Sequence, residues 1–207
     1  MSKKLEKGIL IVFEGIDGCG KSTQAKLLFE KLRSLKFDCI LLKEPSSGKW
    51  GKKIKKLSLF ENSISPEEEL ELFVKDREEN TRENIKPALQ EKRIVILDRY
   101  YFSTIAYQGA KGINLKYIEN LNKSIAIEPD IVFILDVEPS VGLSRIENRK
   151  KKEKLFERED YLNKVRRIYN SLKGKNIIKM DGSQKIDKIR EKIEEIVLKY
   201  IEKYIDN

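Results

Sequence analysis

Gly15-Ile16-Asp17-Gly18-Cys19-Gly20-Lys21-Ser22, followed by Thr23, is the densest piece of chemistry in the chain. It matches the pattern G-x-x-x-x-G-K-[ST], whose glycines let backbone N–H groups converge on phosphate oxygens. A helix opening near Lys21 adds the positive potential of its N-terminus. Lys21 can then reach the β- and γ-phosphates of a nucleoside triphosphate, and the Ser22 hydroxyl can ligate Mg²⁺. The pattern has this meaning only between a strand and a helix. The apolar run Ile9–Phe13 precedes it and the stripe Ala25, Leu28, Leu32, Leu35 follows it. Cys19, inside the loop, is read as a small space-filling side chain.

Such a loop needs a metal-orienting carboxylate at the end of a neighbouring strand. Two strings compete, Ile94-Val95-Ile96-Leu97-Asp98 and Ile131-Val132-Phe133-Ile134-Leu135-Asp136. Apolar pattern alone does not choose between them. Asp98 is favoured because Arg99-Tyr100 follows and sets a phosphate-binding cation beside the carboxylate. Asp136 is followed by Val137-Glu138-Pro139, which reads as the start of a helix. A third feature is Arg77. Ser65-Pro66-Glu67-Glu68 is a strong helix start with a capping box. The stripe that follows, Leu70, Phe73, Val74, Arg77, Thr81, Ile85, sets a guanidinium on an apolar face. A cation directed inward pairs with a carboxylate or faces a ligand cavity, and both readings stay open.

Composition narrows the chemistry further. The 207 residues contain no histidine and two cysteines, Cys19 and Cys39. Histidine-based general-base and triad mechanisms are excluded, and no donor set for structural zinc remains. Two cysteines make no disulfide scaffold, so the cytoplasm is the expected compartment. No apolar run approaches the ~20 residues of a membrane helix, and the basic MSKKLEKG start leads into a run too short for a signal sequence. The net charge of +9 favours an anionic partner, against the alternative of a solvated lysine surface.

The elements that must position these groups are legible as an alternation. Ile9–Phe13, Cys39–Leu42, Ile94–Leu97, Ile131–Leu135 and Ile177–Met180 are apolar nearly throughout, as parallel strands covered on both faces are. Amphipathic stretches lie between them, including Tyr161, Val165, Ile168, Tyr169, Leu172 and a last stripe from Ile186 to Tyr204. The alternation predicts an α/β fold, and the length and lack of a linker predict a single domain.

Together these residues resemble the thymidylate kinase family. Phe13-Glu14-Gly15 through Thr23 is similar to its first motif, and Asp98-Arg99-Tyr100 with Ser103 and Ala106-Tyr107-Gln108-Gly109 to its second. Lys43-Glu44-Pro45 resembles the segment after its second strand, and Phe73-Val74-Lys75-Asp76-Arg77 its substrate helix, with Lys86-Pro87-Ala88-Leu89 at the end. The resemblance implies a P-loop NTPase-like three-layer α/β/α fold with a five-stranded parallel sheet, ATP as donor with Mg²⁺, and dTMP as acceptor. It also implies a homodimer packed through helices. It assigns Phe73 to stacking on thymine, Arg77 to the base carbonyl edge and Thr104 to the pyrimidine edge. Tyr107 lies beneath the sugar, Asp17 at the 3′-hydroxyl and Arg99 on the acceptor phosphate, with Glu44, Pro45 and Gln108 also on the substrate side. Gly15, Asp17, Gly18, Cys19, Gly20, Lys21, Ser22 and Thr23 fall on the donor side, with Ser22 and Asp98 toward the metal. Two departures stand out: Lys43 occupies a position where the family usually has Arg, and Ser46-Ser47 one where it commonly has a Gly pair.

Phosphoryl transfer also needs a cation at the bridging oxygen, and Ile16 to Cys19 offer none. The basic run from Arg145 to Lys154 is the expected source, with Arg149 first and Arg145 second, in a lid at about 145–158. The catalytic set is then Lys21, Asp98, Arg99 and Arg149. A kinase for another nucleoside monophosphate is the nearest alternative. A P-loop ATPase that binds nucleic acid is the more distant one, suggested by the charge and by Lys52-Lys53-Ile54-Lys55-Lys56. The aromatics fall mostly on apolar stripes rather than on a basic surface, so no nucleic-acid partner is expected.

Overall fold

A computed structural model of the chain describes residues 3–58, 64–146 and 152–205, of which 152–158 as backbone only. Among these, five strands form one parallel sheet in the order β2-β3-β1-β4-β5. They are β1 (Ile9–Glu14), β2 (Cys39–Lys43), β3 (Ile94–Asp98), β4 (Ile131–Asp136) and β5 (Ile177–Asp181). Each apolar run forms a strand that continues one residue further, onto Glu14, Lys43, Asp98, Asp136 or Asp181. The strands therefore end in charge at their carboxyl ends, where open parallel sheets bind ligands. β1, β3 and β4 are buried along almost their whole length, consistent with helices on both faces.

The helices are α1 (Lys21–Ser34), α2 (Lys49–Leu57), α3 (Pro66–Asn80), α4 (Lys86–Gln90), α5 (Tyr101–Ala110), α6 (Leu115–Lys123), α7 (Pro139–Ile146), α8 (Lys152–Ser171) and α9 (Ile186–Ile201). α1 packs against α9, while α5 packs against α3, α6 and α8, which gives the three-layer α/β/α arrangement. Ala25, Leu28 and Leu32 are buried, so the α1 stripe is the face laid on the sheet. Val165 and Tyr169 of α8 do the same. α3 starts as its sequence dictates: the Ser65 hydroxyl accepts from Glu68 N at 3.2 Å and Glu68 Oε2 accepts from Ser65 N at 2.8 Å. Its far end widens into a π-helical turn over Thr81–Ile85 before α4. No helix among the described residues is long and apolar enough to cross a membrane.

α7 carries Arg145 and ends at Ile146. α8 begins at Lys152, so the last part of the segment read as a lid lies in a helix. Arg149 lies outside the described residues.

Candidate active site

The phosphate loop leaves β1 and enters α1 through three positive-φ glycines, Gly15 (φ 136°), Gly18 (φ 78°) and Gly20 (φ 98°). Close approach compounds the need at Gly18, where a Cβ would stand 2.0 Å from Gly142 O of α7. The Lys21 side chain is buried and folds back over the loop, donating to Ile16 O at 3.2 Å. Burial pulls the Lys21 ammonium below its ordinary pKa, and the Arg99 charge adds to the effect.

Asp98 rather than Asp136 faces this loop. Phe13, next to the loop, is in register with Asp98 on β3. The Ser22 hydroxyl donates to Asp98 Oδ2 at 2.5 Å, and Lys43 Nζ lies 3.3 Å from the same oxygen. Asp98 Oδ1 is buried without a hydrogen-bond partner among the described residues. A buried carboxylate oxygen left open beside a serine hydroxyl fits a hard cation such as Mg²⁺, which takes one or two protein oxygens and completes its shell from water and phosphate. Among the described residues no group of three or more acidic or cysteine side chains could hold a metal alone. Asp136 is committed elsewhere: Arg166 of α8 donates to both its oxygens, at 2.6 and 2.8 Å. Those hydrogen bonds hold the Asp136 carboxyl below its usual pKa against partial burial.

The loop separates two cavities. One, of about 350 Å³, is lined by Gly18, Cys19, Gly20, Lys21, Ser22 and Thr23 with Arg145, the turn after β5 and the start of α9. Arg145 Nη1 donates to Gly18 O at 3.2 Å and Gly182 O at 3.1 Å, so its guanidinium spans the loop and that turn. Gly15 is not among the lining residues; its place is against Leu135 O, 2.5 Å from where a Cβ would be.

The other cavity, of about 580 Å³, is lined by Asp17, Glu44, Pro45, Phe73, Arg77, Arg99, Thr104, Tyr107 and Gln108. The structure thus brings together every residue expected on the substrate side. Glu69, Phe73 and Arg77 reach this cavity from one face of α3, at i, i+4 and i+8. Arg77 pairs with a carboxylate and also borders the cavity. It is 1% exposed, donates to Glu44 Oε2 (2.7 Å), Thr104 Oγ1 (3.0 Å) and Asn122 Oδ1 (2.6 Å), and its buried Nε has no partner among the described residues. Burial pushes the Glu44 carboxyl up, and the Arg77 charge opposes it.

Arg99 lines the larger cavity and is tied to the phosphate loop through Asp17. It has φ 73°, a left-handed conformation uncommon outside glycine. Its Nη2 donates to Asp17 Oδ1 at 2.6 Å and Tyr107 Oη at 3.2 Å, and its Nη1 to Ser103 Oγ at 2.9 Å. Asp17, drawn upward by burial, is carried below its ordinary pKa by the Arg99 and Lys21 charges. Glu14, the last residue of β1, secures this corner. Fully buried, it accepts from Tyr100 N (2.7 Å), Ser103 N (3.2 Å), Ser103 Oγ (2.6 Å) and Tyr169 Oη (2.9 Å).

Sequence reasoning gave Glu14 no role, although a carboxylate ending an apolar strand is the same signal that singled out Asp98. It also missed Tyr161, whose hydroxyl donates to Tyr107 O at 2.8 Å, and the Asp181-Gly182-Ser183 turn beside Arg145. The Ser46 departure has a structural account: the Ser46 N and Oγ donate to the buried Asp76 carboxylate at 2.8 and 2.6 Å. Asp76 sits on α3 beside Arg77, so the hydroxyl ties the segment after β2 to the helix that lines the cavity.

Comparison with known proteins agrees with this geometry. The thymidylate kinase family model matches residues 13–193. The chain is 44% identical to a protein named probable thymidylate kinase from Archaeoglobus fulgidus, over 93% of this chain and 96% of that one. It is 40% identical to the thymidylate kinase of Brachyspira hyodysenteriae, over 86% and 87% of the two chains. The thymidylate kinase of Leptospira interrogans is also 40% identical, over 94% and 96%. With both motifs, both cavities and matches of this extent, the chain belongs to the thymidylate kinase family.

Proposed function

We propose that this chain transfers the γ-phosphoryl group of ATP to the phosphate of dTMP, giving dTDP and ADP. The observation that carries this reading is the loop between the cavities. Gly18 to Thr23 line the smaller one while Asp17, in the same loop, lines the larger, so a donor phosphate and an acceptor phosphate would meet across it. Phosphoryl transfer asks chiefly for alignment and charge neutralisation. The acceptor is already a phosphate, so no strong base is needed and the absence of histidine is no obstacle.

Lys21 and the loop amides hold the donor phosphates. Ser22 and Asp98 would hold Mg²⁺, which supplies charge neutralisation at those phosphates. Arg99, paired with Asp17 in the structure, exchanges that carboxylate for the acceptor phosphate. Phe73 offers its ring to the base, Arg77 and Thr104 address the base edge, and Glu44 keeps Arg77 in place. Pro45 closes the wall and Tyr107 underlies the sugar. Arg145 is the described cation beside the donor loop. We read the chain as a single cytoplasmic kinase domain that forms a homodimer, as the family resemblance implies, and the two free cysteines suit that compartment.

The test is a coupled assay of ADP release with dTMP, dUMP, dCMP, dGMP, dAMP and UMP. The expected result is the highest kcat/KM with dTMP. A better acceptor among the others overturns the assignment, and ATP turnover driven by DNA but indifferent to dTMP overturns the enzyme class.

A further inference from the structure

α5 begins without a cap of its own. Its N-cap residue is Tyr100, whose side chain makes no capping hydrogen bond, and no acidic residue stands in its first turn. The free N–H groups of a helix start are usually met by a local side chain. Here the acceptor comes from another element. One oxygen of Glu14, Oε1, accepts from both Tyr100 N and Ser103 N, the N-cap and N3 positions that a capping box would join. The helix is thereby fastened to the last residue of β1, directly before the phosphate loop.

The other oxygen serves Arg99. Oε2 accepts from the Ser103 and Tyr169 hydroxyls at 2.6 and 2.9 Å. All four contacts of Glu14 are donors, so the group fits there as a carboxylate. With its proton given to Glu14, Ser103 Oγ keeps its lone pairs and accepts from Arg99 Nη1 at 2.9 Å. One hydroxyl thus links a buried carboxylate to the guanidinium. The Arg99 backbone is held by the same strand. Arg99 N donates to Phe13 O at 3.0 Å, and the next amide, Tyr100 N, donates to Glu14. Consecutive residues of β1 therefore brace the left-handed conformation of Arg99 from both sides.

We propose that Glu14 is a positioning residue for the acceptor phosphate: it caps α5 from β1 and, through the Ser103 hydroxyl, anchors Arg99 Nη1 while Nη2 is left to exchange Asp17 for that phosphate. This rests on the role given to Arg99 in the proposed function. A guanidinium already ordered on one side spares the ligand the cost of ordering it. Glu14→Gln separates the two duties. Gln keeps an oxygen for the two backbone amides, so the cap survives. Its NH₂ then faces the Ser103 and Tyr169 hydroxyls, neither of which can donate to it. Ser103 must turn its proton elsewhere, and the anion behind Arg99 is gone.

The experiment measures kcat, the KM for dTMP and the KM for ATP in the parent, Glu14→Gln, Ser103→Ala and the double variant, each with its melting curve. A parent that turns over no dTMP sinks the functional reading before any variant is compared. With an active parent, Glu14→Gln should lower kcat/KM for dTMP at least tenfold and leave the ATP KM within threefold. Ser103→Ala should do likewise, and the double variant should add less than threefold, because both act through Arg99. A general disturbance of β1 would reach the phosphate loop first, since Gly15 is the next residue, and would raise the ATP KM. A smaller loss toward dTMP in Glu14→Gln, an equal loss toward ATP, or full additivity overturns the proposal. If Glu14→Gln loses its cooperative melting, Ser103 carries the test. Ser103→Ala should show the same split between substrates, and Ser103→Thr, which keeps the hydroxyl, should restore dTMP use to within threefold. No split in the Ala variant, or no rescue by Thr, overturns the proposal.

Discussion

Replacing Lys21 by Ala removes a buried side chain that is the one cation between Gly15 and Thr23. Several kcal/mol of transition-state stabilisation would go with it, so kcat should fall by at least ~10²-fold. Turnover within threefold of the parent would reject Lys21 as the phosphate-holding residue. Tyr107 is a subtler case. Its ring lies under the Arg99 guanidinium, 4.9 Å away, and its hydroxyl donates to Asp17 Oδ2 at 3.2 Å. A ring that excludes a 2′-hydroxyl by size works without its own hydroxyl. Tyr107→Phe should therefore keep most of the preference for dTMP over its ribose analogue and lose mainly acceptor affinity, through looser Asp17 and Arg99. Tyr107→Ala should narrow the preference. Equal kcat/KM ratios in the Ala variant and the parent would show that the ring does not select the sugar.

The strand-end aspartates Asp98 and Asp136 divide their labour by what the neighbouring elements carry. β3 delivers Asp98 to the phosphate loop, whereas β4 delivers Asp136 to Arg166 of α8. Asp136→Asn should leave catalysis nearly intact and lower Tm at pH 7 by roughly 3–6 °C, the scale of a lost charge-assisted pair. Asp98→Asn should do the reverse. The pH dependence follows from the depressed Asp136 carboxyl. Its stabilisation is complete above the ordinary carboxylate pKa near ~4 and vanishes as pH falls through the lower folded value. The Tm gap between parent and Asp136→Asn should be full at pH 6 and close in stronger acid, and a gap that stays constant down to pH 2 would show another cause. Legibility follows the same lines. Five apolar runs sufficed for five strands, because burial on both faces leaves a continuous signal. α3 announced itself through its cap. α2 did not, since Lys52, Lys53, Lys55 and Lys56 mask a helix whose buried residues are Gly51 and Ile54. The π-helical turn at Thr81–Ile85 kept Thr81 and Ile85 buried, as the stripe required, yet no residue type marks a widened turn.

At the scale of the whole molecule, the +9 charge has two possible destinations, a polyanion on the outside or phosphates within. Lys21, Arg77, Arg99 and Arg145 all line the two cavities, and Arg77 is buried beneath the surface a nucleic acid would touch. A ligand that binds only the folded state stabilises it by about 2.7 kcal/mol at a hundredfold excess over Kd. For a chain of this size that is a Tm rise of roughly 5–10 °C. Saturating dTMP should produce such a rise, and adding ADP with Mg²⁺ should extend it, because the cavities lie on opposite sides of one loop and can fill together. The shift should persist at 0.2 M salt, since buried charges are weakly screened. A single-stranded oligonucleotide engages only surface lysines by counterion release, so any shift it causes should be small and should disappear over the same range of salt. A salt-resistant shift with the oligonucleotide and none with dTMP would assign the charge to the outer surface and reverse the argument.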